Sequence, residues 1–247
     1  MNDRESLPTY RVDGDVAWYD HFLPKFEGKS LIGLINGMTK EDTVKVLDLG
    51  AGDYTFAIDS QTRWNGKVAI TGVSRDNFLT PERMRTIVQL GIQTIQSETV
   101  DIPQKLSPDY QLAVSVLTNI YDTKADYVDI MWRMLTNGGI GLLDNLPIAS
   151  KINVAELTRT LRREGYVIEI KNAHQLLPDR IIHSKPPATQ PVPQNERFVY
   201  RKALEQLQNE QSKPSKEHAV PVTGIAFRKV DGKGNLGRRI RELTQRQ

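Results

Sequence analysis

Between residue 44 and about residue 171 the chain alternates apolar runs of strand length with segments of helical period, which dictates a parallel sheet covered by helices on both faces. The strand-length runs are Val44 to Leu49, Lys67 to Val73, Ile92 to Gln96, Tyr110 to Leu117, Ile140 to Asp144 and Tyr166 to Lys171. Between them, Thr80-Pro81 supplies an N-cap and a proline for the first helical turn, ahead of Met84, Ile87, Val88 and Leu90, with Gly91 as the stop. Ala125 to Thr136 closes at Gly138-Gly139 and Val154 to Arg163 closes at Gly165, both with helical apolar spacing. The expected architecture is α/β: a doubly wound, Rossmann-like, seven-stranded sheet with a basic C-terminal tail.

The flanks divide the chain. Residues 1–43 hold Ala17, Trp18, Phe22, Leu23, Leu31, Ile32, Leu34 and Ile35 at spacings that predict one or two helices, an N-terminal helical cap. Residues 44–207 form the main domain, interrupted at 174–195 by an excursion carrying Pro178, Pro186, Pro187, Pro191 and Pro193. Glu196 to Lys202 reads as the seventh strand. From 208 to 247 the chain reads as a flexible tail: QNEQSKPSKEH is polar and proline-interrupted, and Pro221 limits AVPVTGIAFRKV to an edge strand at most. Residues 208–247 are therefore expected to be separable from the domain.

Charge sharpens that division. The net charge is +3, yet residues 228–247 carry seven cations against Asp231 and Glu242, a local net of +5, leaving −2 for the rest. A polyanion or an acidic protein is thus a candidate partner of the tail and not of the body. With no cysteine in 247 residues, thiolate metal sites and cysteine nucleophiles are excluded, and the scattered His21, His174, His183 and His218 suggest no metal centre. No apolar stretch approaches the roughly 18 residues of a membrane span, so the expectation is a soluble, cytoplasmic protein.

The chemistry centres on VLDLGAGDY. Gly50 and Gly52 follow the first strand, beyond its carboxyl end, where such folds bind ligands, and let the backbone turn sharply against a bound group. A dinucleotide fingerprint would place a third glycine at position 55, where this chain has Thr55, and would not put Asp48 at the strand end. VLDLGAGDY instead resembles the first motif of the class I S-adenosylmethionine-dependent methyltransferases. ITGVSRDNF, SETVDIPQ, YQLAVSVLTNIY, MLTNGGIGLLDN and LRREGYVIEI resemble that family's later motifs in order, over roughly residues 10 to 202.

The resemblance implies S-adenosyl-L-methionine as cofactor. Its methionine part would lie against Asp48, Gly50, Ala51 and Gly52, its ribose near Ser74, and its adenine near Asp101 and Ile102, with Val116 at the exit of the fourth strand. The acceptor side would be formed by Tyr19, Asn119, Tyr121 and Asp144, near Thr118, Asn145 and His21. The pattern also departs from the family. Tyr54 stands where a third glycine is common and would narrow the pocket floor, and Ser74 replaces the usual ribose-binding acid. Two alternatives therefore stay open: a methyltransferase-like binding or scaffold protein with a degenerate pocket and, less favoured, a nicotinamide-dependent oxidoreductase. No acceptor is identified, and the Asn-Pro-Pro-aromatic run of enzymes that methylate nucleobases and glutamine amides is absent after the fourth strand.

Overall fold

The sheet has seven strands: β1 (Val44–Leu49), β2 (Val68–Ser74), β3 (Gln93–Gln96), β4 (Tyr110–Ser115), β5 (Leu135–Leu143), β6 (Val167–Asn172) and β7 (Thr223–Arg228). This computed structural model describes residues 15–40, 42–74, 79–116, 126–144, 153–172 and 223–245, all within the unit formed by residues 11–173 and 221–247. The strand order is β3-β2-β1-β4-β5-β7-β6. The first five strands pair in parallel, while β7 runs antiparallel to both β5 and β6. The order thus reverses beside β1, between β2 and β4, and the switch point lies there.

The central strands are apolar on both faces because helices cover both. On one face, α1 (Val16–Phe22) and α2 (Leu31–Met38) pack with α3 (Thr55–Arg63), the helix that follows β1, and α4 (Pro81–Gln89) follows β2. On the other, α5 (Ile102–Lys105), α6 (Tyr127–Met134), α7 (Val154–Arg163) and α8 (Leu236–Thr244) share one core with Leu47, Ala113, Leu143 and Ile168 of the sheet. Asp15, Ser30, Thr80, Asp126, Asn153 and Asn235 cap the helices that follow them, each side chain accepting from a backbone amide three residues on.

Two expectations change. The tail is not flexible over residues 223–245: TGIAFR inserts as β7 between β5 and β6, with Ile225, Ala226 and Phe227 fully buried, and α8 packs on α6. Pro221 does not relegate the segment to an edge, because β7 begins only at Thr223, beyond the proline. Second, β5 begins at Leu135, directly after α6, and Gly138-Gly139 lies within it. There Gly138 N donates to Lys229 O at 2.8 Å and Lys229 N to Gly139 O at 2.8 Å, so the returning chain pairs with the glycines. Glu196 to Lys202, the excursion at 174–195 and the linker from 208 lie outside the described residues. No helix among the described residues is long and apolar enough to cross a membrane.

Folding back also accounts for the tail's charge. Arg228 pairs with Glu27 at 2.7 Å, Arg239 with Glu164 at 2.5 Å and Glu242 at 3.0 Å, and Arg241 with Asp126. Lys229 Nζ donates to Leu135 O and Lys233 Nζ to Glu164 O, each at 2.6 Å. The cations counted in the sequence as a free polycation mostly bind the domain itself.

Candidate functional site

The end of β1 turns through Gly50 at φ 87°, Gly52 at φ 54° and Tyr54 at φ 67°, before α3 starts. The glycines take the left-handed region without strain; Tyr54 does not and is held there by its surroundings. Gly50 N and Ala51 N both donate to Val73 O at 2.9 Å, tying the turn to β2, and Tyr54 N closes it onto Ala51 O at 2.8 Å. Asp53 then takes the helix start: its Oδ1 accepts from Thr55 N at 3.1 Å and Thr55 Oγ1 at 2.7 Å, while Oδ2 pairs with Arg83 of α4 at 2.8 Å. The Tyr54 ring lies over β2, where a Cβ on Gly72 would sit 2.3 Å from it, and its hydroxyl donates to Gly72 O at 3.2 Å. Tyr54 thus covers the floor beside the turn, as its size suggested, and only glycine at position 72 permits it.

Asp48, level with Gly72 on β2 and Val114 on β4, is fully buried. Its Oδ1 accepts from the Tyr19 hydroxyl at 3.1 Å. Tyr19 is brought there by α1, which Val16 N fastens to α3 through Asp59 Oδ2 at 3.1 Å, and by stacking on Phe56 with centroids 4.2 Å apart. Burial pushes the Asp48 carboxyl up to about 7, the Tyr19 hydrogen bond opposing the shift. The Tyr19 phenol is raised far above its ordinary value, first by burial and then by Asp48, Asp144 and Asp53. Asp48 and Asp144, and more weakly Asp53, which already pairs with Arg83, therefore act on one buried hydroxyl. Such a site favours a cationic group.

Ser74 ends β2, buried, with its carbonyl accepting from Ser97 N at 3.0 Å. Asp101 closes the short helical turn Thr99–Asp101 and Ile102 is fully buried behind it. Val116 follows β4 and is buried, and Asp144 follows β5, buried, its amide reaching Ser115 O at 3.4 Å. The structure brings Tyr19 onto Asp48, with the glycine turn beside them, while Asp144 ends β5, two strands away, and acts on the Tyr19 phenol through its charge. Asn119, Tyr121, Thr118 and Asn145 lie outside the described residues. His21, on the same helix as Tyr19, sets its ring edge-on to Phe22. Sequence reasoning missed Asp53 and Arg83; an acid two residues before Thr55, at a helix start, was the available signal.

No protein-family model matches the sequence. Over 94 residues the chain is 28% identical to the release factor glutamine methyltransferase of Lactococcus lactis, a match covering 38% of this chain and 34% of that one. Among solved structures, phosphoethanolamine N-methyltransferase 2 of Haemonchus contortus, in complex with S-adenosyl-L-methionine, superposes with a TM-score of 0.53 at 13% identity, over 80% of this chain and 52% of that one. A sarcosine dimethylglycine methyltransferase structure from Galdieria sulphuraria gives a TM-score of 0.45 at 15% identity, over 86% of this chain and 94% of that one. The chain spans about a third of the length of the Lactococcus relative and about half of the Haemonchus protein. The α/β sheet described above, with its last strand antiparallel between the fifth and sixth, has the fold of the class I S-adenosylmethionine-dependent methyltransferases.

Proposed function

We propose that this chain binds S-adenosyl-L-methionine at the carboxyl ends of β1, β2 and β4 and transfers its methyl group to an acceptor. The observation that carries the reading is Asp48: a fully buried carboxyl at the switch point, beside a glycine turn, with its proton affinity raised by burial. A ligand with an ammonium and a sulfonium supplies the missing cation. Asp48 and the Gly50-Ala51-Gly52 turn would hold the methionine part, Ser74 the ribose, and Asp101, Ile102 and Val116 the adenine. Gly50 N and Ala51 N are already committed to Val73 O, so the turn offers shape and close approach more than those two donors.

Bound S-adenosylmethionine would supply a methyl group activated on a positively charged sulfur. The chain's residues need only align the acceptor and take up a proton where the acceptor carries one. Tyr19, which keeps its proton, would align the acceptor and Asp144 would take up a proton, with Asn119 and Tyr121 as further acceptor-side candidates. Tyr19 is fixed by Asp48 and Phe56, so its hydroxyl orients before an acceptor arrives. The Lactococcus relative is named for a release-factor glutamine, but here the segment after β4 reads Val116-Leu117-Thr118-Asn119, without the Asn-Pro-Pro-aromatic run. That argues against a glutamine amide as acceptor.

One observation favours a second reading, a binding or scaffold protein of this fold. The Tyr54 ring fills the floor above Gly72. Isothermal titration with S-adenosylmethionine, S-adenosylhomocysteine and NAD separates the readings. Saturable binding of either methionine compound and none of NAD is expected; NAD binding alone overturns the proposal, and no binding of any favours the scaffold.

A further inference from the structure

β6 is the last strand of the sheet, and it pairs with β7 alone, its outer edge having no ladder partner among the described residues. α7 flanks that edge. Between them lies a hollow of about 600 Å³, lined on the helix side by Arg159, Arg162 and Arg163 and on the strand side by Glu169 and Ile170. A second hollow continues it past Val167, sharing Arg162 and Glu169.

Arg162 Nε donates to Ile168 O at 2.9 Å, which shows that the Ile168 carbonyl faces away from β7. By the alternation of an antiparallel ladder, Ile170 turns its amide and carbonyl the same way, toward the open edge. Arg159 and Arg163 are exposed and form no ion pair among the described residues, unlike the cations of the C-terminal segment. They stand one helical turn apart, about 6 Å along the axis. Every second side chain of an extended strand repeats at about 6.7 Å. A strand added to the β6 edge would therefore bring alternate side chains past the two guanidinium groups almost in step. Among the described residues Glu169 is the one acid lining the hollow, and one of its carboxylate oxygens accepts from Glu27 N at 2.9 Å.

We propose that the outer edge of β6 and the arginine row of α7 form a docking groove for an extended acidic segment of a partner protein, which joins the sheet as an added strand with acids at alternate positions. Main-chain hydrogen bonds to the edge would give affinity, and paired Arg–carboxylate contacts would select the acid-x-acid pattern. This groove is remote from the β1 turn and does not depend on methyl transfer.

Fluorescence anisotropy with the full chain tests it, using a labelled peptide of alternating threonine and glutamate. Binding is expected, and it should weaken at least tenfold in R159E/R163E and severalfold in R159Q/R163Q, with melting temperatures unchanged. The same peptide N-methylated at alternate residues should bind at least tenfold more weakly. The proposal is overturned by absence of peptide binding, by equal binding of the N-methylated peptide, by indifference to both arginine substitutions, or by tighter binding of a single-stranded uridine oligonucleotide than of the peptide.

Discussion

A carboxyl group shut away from water resists ionising, and Asp48 is such a group. It titrates near 7 in the fold, against about 3.9 in an unfolded chain. Because the folded value is the higher, the group's contribution is most favourable below about pH 4, where both states hold the proton. It declines between about pH 4 and 7, as the unfolded chain ionises and the folded one does not, and then levels off at a penalty on the order of 4 kcal/mol. Asp48→Asn cannot ionise and keeps an acceptor for the Tyr19 hydroxyl. Its melting temperature should match that of the native protein near pH 4 and rise above it steadily to pH 7, with no further change; a gap that ignores pH would show that Asp48 carries its charge in the fold. The same substitution should weaken binding of S-adenosylmethionine by about 1.5–3 kcal/mol, as loss of a charged partner does. Asp48 and the glycine turn were legible in the sequence because a strand end, an acid and two glycines are contiguous. The Tyr19–Asp48 bond was not, since its partners stand 29 positions apart and nothing local marks the pair.

Among the elements, local signals carried most of the reading. Val44–Leu49 and Val154–Arg163 fall where apolar run and helical period put them, since each is bounded by its own caps or turns. β5 was read five residues too short, from Ile140 instead of Leu135, because Gly138-Gly139 look like a helix stop. Their role depends on Lys229, some ninety positions away, which no window around them contains. β7 reads as an edge strand at most for a related reason. Buried on both faces, it shows no inside-outside alternation, and its proline-containing approach looks like a tail. Phe227 carries the strand's packing: it is fully buried, 5.9 Å from the Trp132 ring centroid, and lies so close over Gly141 that a Cβ there would sit 2.2 Å from its ring. Phe227→Ala should therefore destabilise the protein by about 3–5 kcal/mol, read from denaturant unfolding. A loss under 1 kcal/mol would mean that β7 is peripheral.

At the scale of the molecule, composition suggested a slightly acidic body with a detachable basic tail, and the fold joins the two. A chain ending at residue 222 would lack β7, which bridges β5 and β6, and α8, which covers α6. It should lose its cooperative melting transition and become sensitive to limited proteolysis at concentrations of protease that spare the full chain. Retained melting would restore the picture of a separable tail.

The place of β7 also bears on how the molecule is made. During synthesis β5 and β6 emerge first, yet neither can pair with the other, since the strand that joins them comes after Asn172 by a long stretch of chain. Until Thr223 to Arg228 leaves the ribosome, the edge of β5 is an unfilled slot flanked by exposed apolar side chains. The nascent protein must wait with only five of its seven strands able to pair, and closing so long a loop is slow compared with local helix formation. In that interval the slot is open to any extended strand in reach, and a second nascent copy is the nearest source of one.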